Sequence, residues 1–259
     1  MADLVQIERD GPIARLWLNR PEVHNALSSE LGLALVGALH ELGREARVRV
    51  VVLGGRGPSF CAGADVNVMR ASAGASFETN LAEAESFGKL FATVAECPKP
   101  VVGRIHGGVY GGGVGFCCAC DIAIAGDDAK FGLTEVRLGI IPGLISPYVI
   151  RRLGDRAARE LMLTGERFGA AEALRVGLVH HVVPAAQLEA AVEGRVAELL
   201  KGAPRAQARI KALLALRGNT SWEDYRAKLP RALAETRAGD EARDGLAAFL
   251  EKRKPKWME

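Results

Sequence analysis

The sequence predicts an α/β fold that gives way to helices toward its C-terminal end. Two patterns carry this. Short apolar strands alternate with segments of helical apolar period as far as about residue 155, and helical periods dominate beyond it. A third observation marks the centre: Val101 to Ala125 runs from a strand through Gly111-Gly112-Gly113 into a small-residue apolar segment and a second strand. Three glycines there are entropically costly, so the backbone must be bare for a reason. Either a second backbone packs closely, or a ligand approaches main-chain N–H groups at a helix start.

In chain order, residues 3–9 and 13–19 alternate around Gly11-Pro12 and predict a β-hairpin, closed by Arg20-Pro21. Asn25-Ala26-Leu27-Ser28 leads into a helix over 28–43, with Leu31, Leu35 and Leu39 at helical spacing. Val48 to Leu53, apolar apart from Arg49, predicts a buried strand. A glycine loop, 54–58, separates it from Ser59-Phe60-Cys61-Ala62-Gly63-Ala64-Asp65, and a second helix spans 77–96. After the glycine segment come a strand at 121–125, a turn at Gly126-Asp127-Asp128, and the run from Phe131 to Pro142. Leu178 to Val183 is one further strand-like piece. Segments 186–202, 205–217, 222–238 and 241–253 carry the helical period, broken by Gly202-Ala203-Pro204 and Gly218-Asn219-Thr220. No internal repeat or low-complexity linker is visible. Residues 1–200 are expected to form the core and 201–259 a helical region, the boundary being a change of style and not a hinge.

Composition narrows the function. With 259 residues, 49% apolar and 25% charged, the chain can bury a sizeable core. A net charge of +3 with scattered basic residues argues against a nucleic-acid or membrane surface. No signal peptide is visible at the N-terminus. The apolar run 107–126 is long enough to raise a membrane span, but its glycines and strand-like ends predict a buried helix instead. Five cysteines, an odd number, fit a reduced cytoplasmic compartment. Cys117, Cys118 and Cys120 are expected to be small core residues, and no metal site is expected.

Common nucleotide and hydrolase signals are missing. Gly57-Pro58-Ser59 is not a Walker loop, and no Gly-x-Gly-x-x-Gly fits the glycines of 107–115. Gly57 to Cys61 lacks the last glycine of a nucleophile elbow, which disfavours Ser59 as a nucleophile. Two backbone turns remain, Cys61 to Asp65 and Gly111 to Gly113. Each can present a free N–H, and two such donors on one carbonyl oxygen make an oxyanion hole. Asp65 is most simply an N-cap. Glu135 lies between a strand end and an apolar Gly/Pro loop, where desolvation would raise its pKa toward a useful value. The alternative is a first-turn glutamate favoured by the helix dipole. His106 is either a pocket residue or a hydrogen-bonded core histidine, and Tyr110 and Tyr148 are open in the same way.

Taken in order, Leu18-Asn19-Arg20-Pro21, Asn25-Ala26-Leu27, Phe60 to Asp65, the triple glycine, Cys120-Asp121-Ile122, Phe131-Gly132, Glu135, Leu138 to Gly143 and Phe249 to Lys254 resemble the enoyl-CoA hydratase/isomerase (crotonase) superfamily. The match runs nearly end to end. The resemblance implies a spiral of ββα units with a C-terminal helical trimerisation region, assembled as a homotrimer or as a hexamer of two trimers. It assigns the oxyanion-hole N–H groups to Ala64 and Gly112, and the acid/base to Glu135. Val23, Ala62, Ala64, Asp65, Val66, Asn67 and Gly112 would bind the acyl-CoA thioester, with Phe249 and Lys252 covering it from a neighbouring subunit. No separate cofactor is implied, since coenzyme A is part of the substrate.

One departure matters. Typical hydratases of this family carry a first glutamate two residues after the triple glycine, and here that residue is Gly115. The two-carboxylate mechanism therefore does not carry over. Gly111-Gly112-Gly113-Val114-Gly115 and Ile145 to Ile150 look like the branch of 3-methylglutaconyl-CoA and isohexenylglutaconyl-CoA hydratases. Arg137 and Arg151 are candidate partners for a distal carboxylate. The expected activity is hydration of a 2-enoyl-CoA, or the reverse, by one glutamate. The alternatives are Δ3,Δ2-enoyl-CoA isomerisation, decarboxylation on the same fold, or a catalytically weak RNA-binding or assembly protein. The last would use Arg44, Arg47 and Arg49, which otherwise form a solvated face.

Overall fold

The computed structural model describes residues 3–258 of the chain. The N-terminal alternation folds as the predicted hairpin of β1 (Val5–Asp10) and β2 (Ile13–Leu18). After a short 3-10 turn at Pro21–Val23 comes α1 (Ser29–Arg44), capped by the Ser28 hydroxyl, which accepts from the Leu31 N–H. Leu31, Leu35, Leu39 and Leu42 form its buried stripe. β3 (Val50–Gly55) starts later than the apolar run suggested, because the Val48 N–H closes a turn onto the Glu45 carbonyl. β4 (Ser59–Cys61), α2 (Val66–Ala73) and α3 (Phe77–Glu96) follow.

The glycine segment divides into β5 (Val101–Ile105), a short β6 (Gly108–Tyr110) that the sequence did not announce, and α4 (Gly112–Ala119). Next come β7 (Ile122–Gly126), β8 (Lys130–Gly132), a 3-10 turn at Thr134–Leu138, and α5 (Ser146–Thr164). β9 (Arg167–Gly169), α6 (Ala170–Arg175), β10 (His181–Val183) and α7 (Leu188–Leu200) complete the core. The helical region is α8 (Pro204–Asn219), α9 (Trp222–Arg237) and α10 (Asp240–Leu250).

The strands form a six-stranded sheet in the order β1-β2-β3-β5-β7-β10 and a four-stranded sheet in the order β4-β6-β8-β9. Beyond the hairpin every pair in the large sheet is parallel, as are β4–β6 and β6–β8. Parallel neighbours need crossovers. Each turn of chain supplies one, giving a strand to each sheet and then a helix: β3, β4, α2; β5, β6, α4; β7, β8, α5. This is a ββα spiral. Its repetition is invisible in the sequence because each turn packs against different neighbours.

Alternate residues of β3 serve two cores. Val51 and Leu53 join the main cluster with Leu31, Leu35 and Phe116, whereas Val50 and Val52 meet Leu188, Val192 and Val196 of α7. No helix among the described residues is long and apolar enough to cross a membrane. The apolar run of 107–126 is split among β6, α4 and β7 instead.

Arg49 corrects one expectation. It does not share a solvated face with Arg44 and Arg47, which are exposed. Its guanidinium donates to the carbonyls of Leu200, Gly202 and Trp257. Carbonyls at and beyond a helix end lack intrahelical partners, and this arginine supplies them while tying the C-terminal tail to the core. Burial pushes its pKa down. Farther along, Glu241 of α10 accepts from the N–H groups of Arg205 and Ala206, capping α8 from a neighbouring helix.

Candidate active site

The site begins at Leu27. Its N–H donates to the Gly63 carbonyl at 2.7 Å, and its carbonyl accepts from the Asp65 N–H at 3.0 Å. This isolated parallel bridge pairs Leu27 with Ala64 through the flanking residues. The amide of Ala64 itself is therefore turned away from Leu27, and no backbone acceptor among the described residues takes it. Ala64 is exposed, whereas Asp65 is buried. One Asp65 oxygen accepts from the Asn67 N–H at 2.9 Å, so the expected N-cap of α2 is present. The other pairs with Arg20. The Asn67 N–H and the Arg20 guanidinium together hold the Asp65 carboxyl below the usual range, against the opposing effect of burial.

The second turn lies against the first. Gly111 has φ +49° and ψ −114°, a conformation open only to glycine, and its N–H donates to the Gly132 carbonyl. That bend starts α4 at Gly112, whose first-turn N–H has no backbone acceptor among the described residues. A β-carbon built on Gly63 would lie 3.8 Å from the Gly111 Cα, so the two turns touch. Leu27 links them: its backbone holds Ala64, and its Cδ1 lies 2.5 Å from where a β-carbon on Gly112 would be.

Glu135 sits in the 3-10 turn after β8 and is half-buried. Its Oε1 lies 3.1 Å from the β-carbon position of Gly111. Its Oε2 is buried and has no hydrogen-bond partner among the described residues. Burial pushes the Glu135 pKa up, against the pull of a hydrogen bond from its own N–H. A neutral carboxyl in this place can give a proton, and an ionised one is eager to take it.

The neighbouring loop is rigidly built. Asn25 is fully buried; it accepts from the Arg20 N–H and donates to the Arg56 and Ser59 carbonyls. The Ala62 N–H donates to the His24 carbonyl at 2.9 Å, joining the loop of Val23 to the 62–67 segment. Val23, Val66 and Asn67 stand exposed beside it. Ser59 is buried with its hydroxyl 2.9 Å from His24 Nδ1. His106 is a hydrogen-bonded histidine: Nε2 donates to the Gly57 carbonyl, Nδ1 faces Arg104, and burial lowers its pKa. The Tyr110 ring lies under Arg167, and Tyr148 packs on Phe91 with its pKa raised by burial and by Glu96.

An enoyl-CoA hydratase/isomerase family model matches residues 8–259. The chain belongs to that family. The Short-chain-enoyl-CoA hydratase of Clostridium acetobutylicum is 33% identical over 96% of this chain and 95% of its own. The 2,3-dehydroadipyl-CoA hydratase of Escherichia coli is 30% identical over 98% of each. Among solved structures, Pseudomonas aeruginosa AtuE superposes with a TM-score of 0.95 at 38% identity, over 99% of this chain and 100% of that one.

Within this member of the enoyl-CoA hydratase/isomerase family, Gly115 is tightly packed. A β-carbon there would lie 2.3 Å from Ile145 Cγ2 and 2.9 Å from Phe91 Cε1. Hydrocarbon fills the space beside Gly115. Phe249 and Lys252 belong to the helical region, where α10 packs on α9, and Phe249 is 81% exposed. The sequence did not single out the linking role of Leu27, the Arg20–Asp65 pair, or the packing of Ile145 on Gly115. Leu27 was within reach through its place in Asn25-Ala26-Leu27; the contact of Ile145 with Gly115 had no local signal.

Proposed function

We propose that the chain adds water across the double bond of a 2-enoyl-CoA thioester, or removes it, with Glu135 as the single acid and base. The observation that carries this reading is a Glu135 carboxyl whose Oε1 lies against the Gly111 turn, beside the free N–H of Gly112, and whose Oε2 is buried with no hydrogen-bond partner among the described residues. A thioester oxygen held between the Ala64 and Gly112 N–H groups brings the acyl C2 and C3 toward that carboxyl. As the water oxygen bonds to C3, Glu135 takes its proton. The displaced electron pair passes through C2 to the thioester oxygen, where the two amides stabilise it. Glu135 then returns the proton to C2. Each such donor contributes about 3 kcal/mol to charge stabilisation in comparable sites.

Val23, Ala62, Val66 and Asn67 hold the coenzyme A moiety, which arrives with the substrate, so no separate cofactor takes part. Phe249 and Lys252 cover it from a neighbouring subunit of a homotrimer or dimer of trimers. Exposed Leu214, Leu233, Leu246, Phe249 and Leu250 on the helical region support such association. Free, buried cysteines fit a cytoplasmic enzyme. A branched glutaconyl-type acyl chain is supported by the Gly111 to Gly115 and Ile145 to Ile150 runs. Arg137 and Arg151 have no acidic partner within 4.0 Å among the described residues and remain available to a distal carboxylate.

The test is Glu135→Gln assayed on a panel of 2-enoyl-CoAs that includes a glutaconyl type. Turnover is expected to fall by about a thousandfold with acyl-CoA binding retained; near-full activity on every substrate would sink the reading. A second reading, Δ3,Δ2-enoyl-CoA isomerisation, is favoured by the hydrocarbon that fills the space beside Gly115. Deuterium uptake from solvent without net hydration distinguishes it.

A further inference from the structure

β10 is the outer strand of the six-stranded sheet, and a cleft of about 440 Å³ opens between it and α7. Clefts that take a small organic ligand measure roughly 300–1,000 Å³. The walls are apolar: Ile124 of β7, Leu174 of α6, Val182 of β10 and Ala191 of α7. The polar groups are His180, His181 and Arg195, with Glu198 beside them. The Glu198 carboxylate is engaged by Lys201 at 2.6 Å. Among the described residues no carboxylate oxygen lies within 4.0 Å of Arg195, of Arg152 beside His180, or of either imidazole.

These groups meet donor to donor. An Arg195 N–H donates to His181 Nε2 at 2.8 Å, so the neutral imidazole keeps its proton on Nδ1. The Ala123 N–H donates to His180 Nδ1 at 3.0 Å, which puts the His180 proton on Nε2. That atom faces Arg152 Nη1 at 3.0 Å, a second donor. Protonating His180 does not relieve the conflict, because it breaks the Ala123 bond; burial, and after it Arg152, lower its pKa. Two permanent positive charges, on Arg152 and Arg195, thus lack an anionic partner among the described residues. Arg152 stands apart from the proposed catalytic groups. It donates to the Cys118 and Cys120 carbonyls at the end of α4, about 12 Å along that helix from Gly112.

We propose that this cleft binds a phosphate monoester of a small apolar group, with the phosphate on Arg195 and His181 and the apolar body against Ile124, Val182 and Ala191. A tetrahedral dianion offers acceptors in several directions. Its oxygens suit a guanidinium edge and an imidazole N–H that approach from different elements. The Arg152 charge lies behind them and adds to the field. A carboxylate brings a single charge and one plane of acceptors, so it is the weaker ligand of the same cleft.

Isothermal titration of the full chain with phenyl phosphate is expected to show one saturable site. Arg195→Gln, and independently His181→Gln, are expected to weaken it about tenfold or more. Arg44→Gln removes an exposed charge from α1 and is expected to leave it unchanged. Absence of saturation, equal weakening by Arg44→Gln, or no weakening by either cleft variant overturns the proposal. Inorganic phosphate and hexanoate are titrated in parallel, and both are expected to bind more weakly. Inorganic phosphate binding equally well rejects the apolar walls as part of the site, and tighter hexanoate rejects the phosphate. Coenzyme A is a second source of the same phosphate chemistry. Saturating the chain with butyryl-CoA is expected to leave phenyl phosphate binding unchanged; displacement would place both in one site and overturn the proposal.

Discussion

Arg20 and Asp65 form an ion pair at 2.9 Å with side chains 17% and 8% exposed. The same guanidinium donates to the Ala26 carbonyl at 2.7 Å. It therefore spans from the residue before Leu27 to the residue after Ala64, the two partners of the bridge that aims the Ala64 amide. Deleting one member of a buried pair leaves the other charge uncompensated, at a cost of about 3 kcal/mol. Arg20→Met is expected to lose about that much stability in urea unfolding, and to lower kcat more than it raises KM. A loss confined to stability would show that the pair does not aim the amide.

The pair also has a signature in pH. Asp65 has its pKa lowered in the fold, by the Asn67 N–H first and Arg20 after it. Its stabilising contribution is fully present above the ordinary aspartate value of 3.8 and is lost as pH falls through the lowered one. Asp65→Asn is expected to flatten the acid limb of stability below about pH 4 relative to the wild type. Chemical denaturation across that range is the measurement.

Glu135 has the opposite sign. Its pKa is raised by burial above the ordinary 4.5, so between that value and the raised one the folded chain binds more protons than the unfolded chain. Stability therefore falls as pH rises through this window. Glu135→Gln is expected to be more stable than the wild type at pH 7 while losing turnover. Thermal melts of both proteins at pH 4 and pH 7 test this: the gap in favour of the variant must widen at the higher pH.

What was legible in the sequence was local. The helix 77–96 was visible because its apolar period and Pro98 both fall within a single stretch, and Asp65 read as a cap from its place before Val66. Glu135 could be picked out because its flanks are apolar. The spiral was not legible from periodicity, since β4, β6 and β8 have three residues each, too few to alternate convincingly; the family resemblance supplied it. Nor was the second role of Leu27, or the filling of the Gly115 position by Ile145 and Phe91. Those contacts join residues far apart in the chain, and no spacing rule encodes them. Arg49 misled for a related reason: a strand position next to exposed arginines gave no hint of helix-end carbonyls arriving from residues 200, 202 and 257.

Arg49 provides a prediction of its own. Three hydrogen bonds from one charged group tie the end of α7 and the C-terminal tail to the core. Bonds to charged groups contribute about 1.5–3 kcal/mol each, and losing the donor leaves partly buried carbonyls unpaired. Arg49→Met is expected to accelerate amide exchange through the helical region while β2, β3 and β5 stay protected. Uniform acceleration over the whole chain would mean that the region does not open on its own.

Leu27 is the final case, and it is best tested as a cycle. Its Cδ1 occupies the space a β-carbon on Gly112 would need, at 2.5 Å. Gly112→Ala alone must push against that side chain, an overpacking that costs about 1–3 kcal/mol. Leu27→Ala alone removes a side chain that is 3% exposed, at about 2–5 kcal/mol, and leaves a cavity. In the double variant the new methyl enters the vacated space, so the two costs must not add. The double variant is expected to be more stable than the sum of the single changes by about 1 kcal/mol or more, measured by urea unfolding. Additive costs would mean that Leu27 does not bear on Gly112, and that the two amides are held together by something other than this one residue.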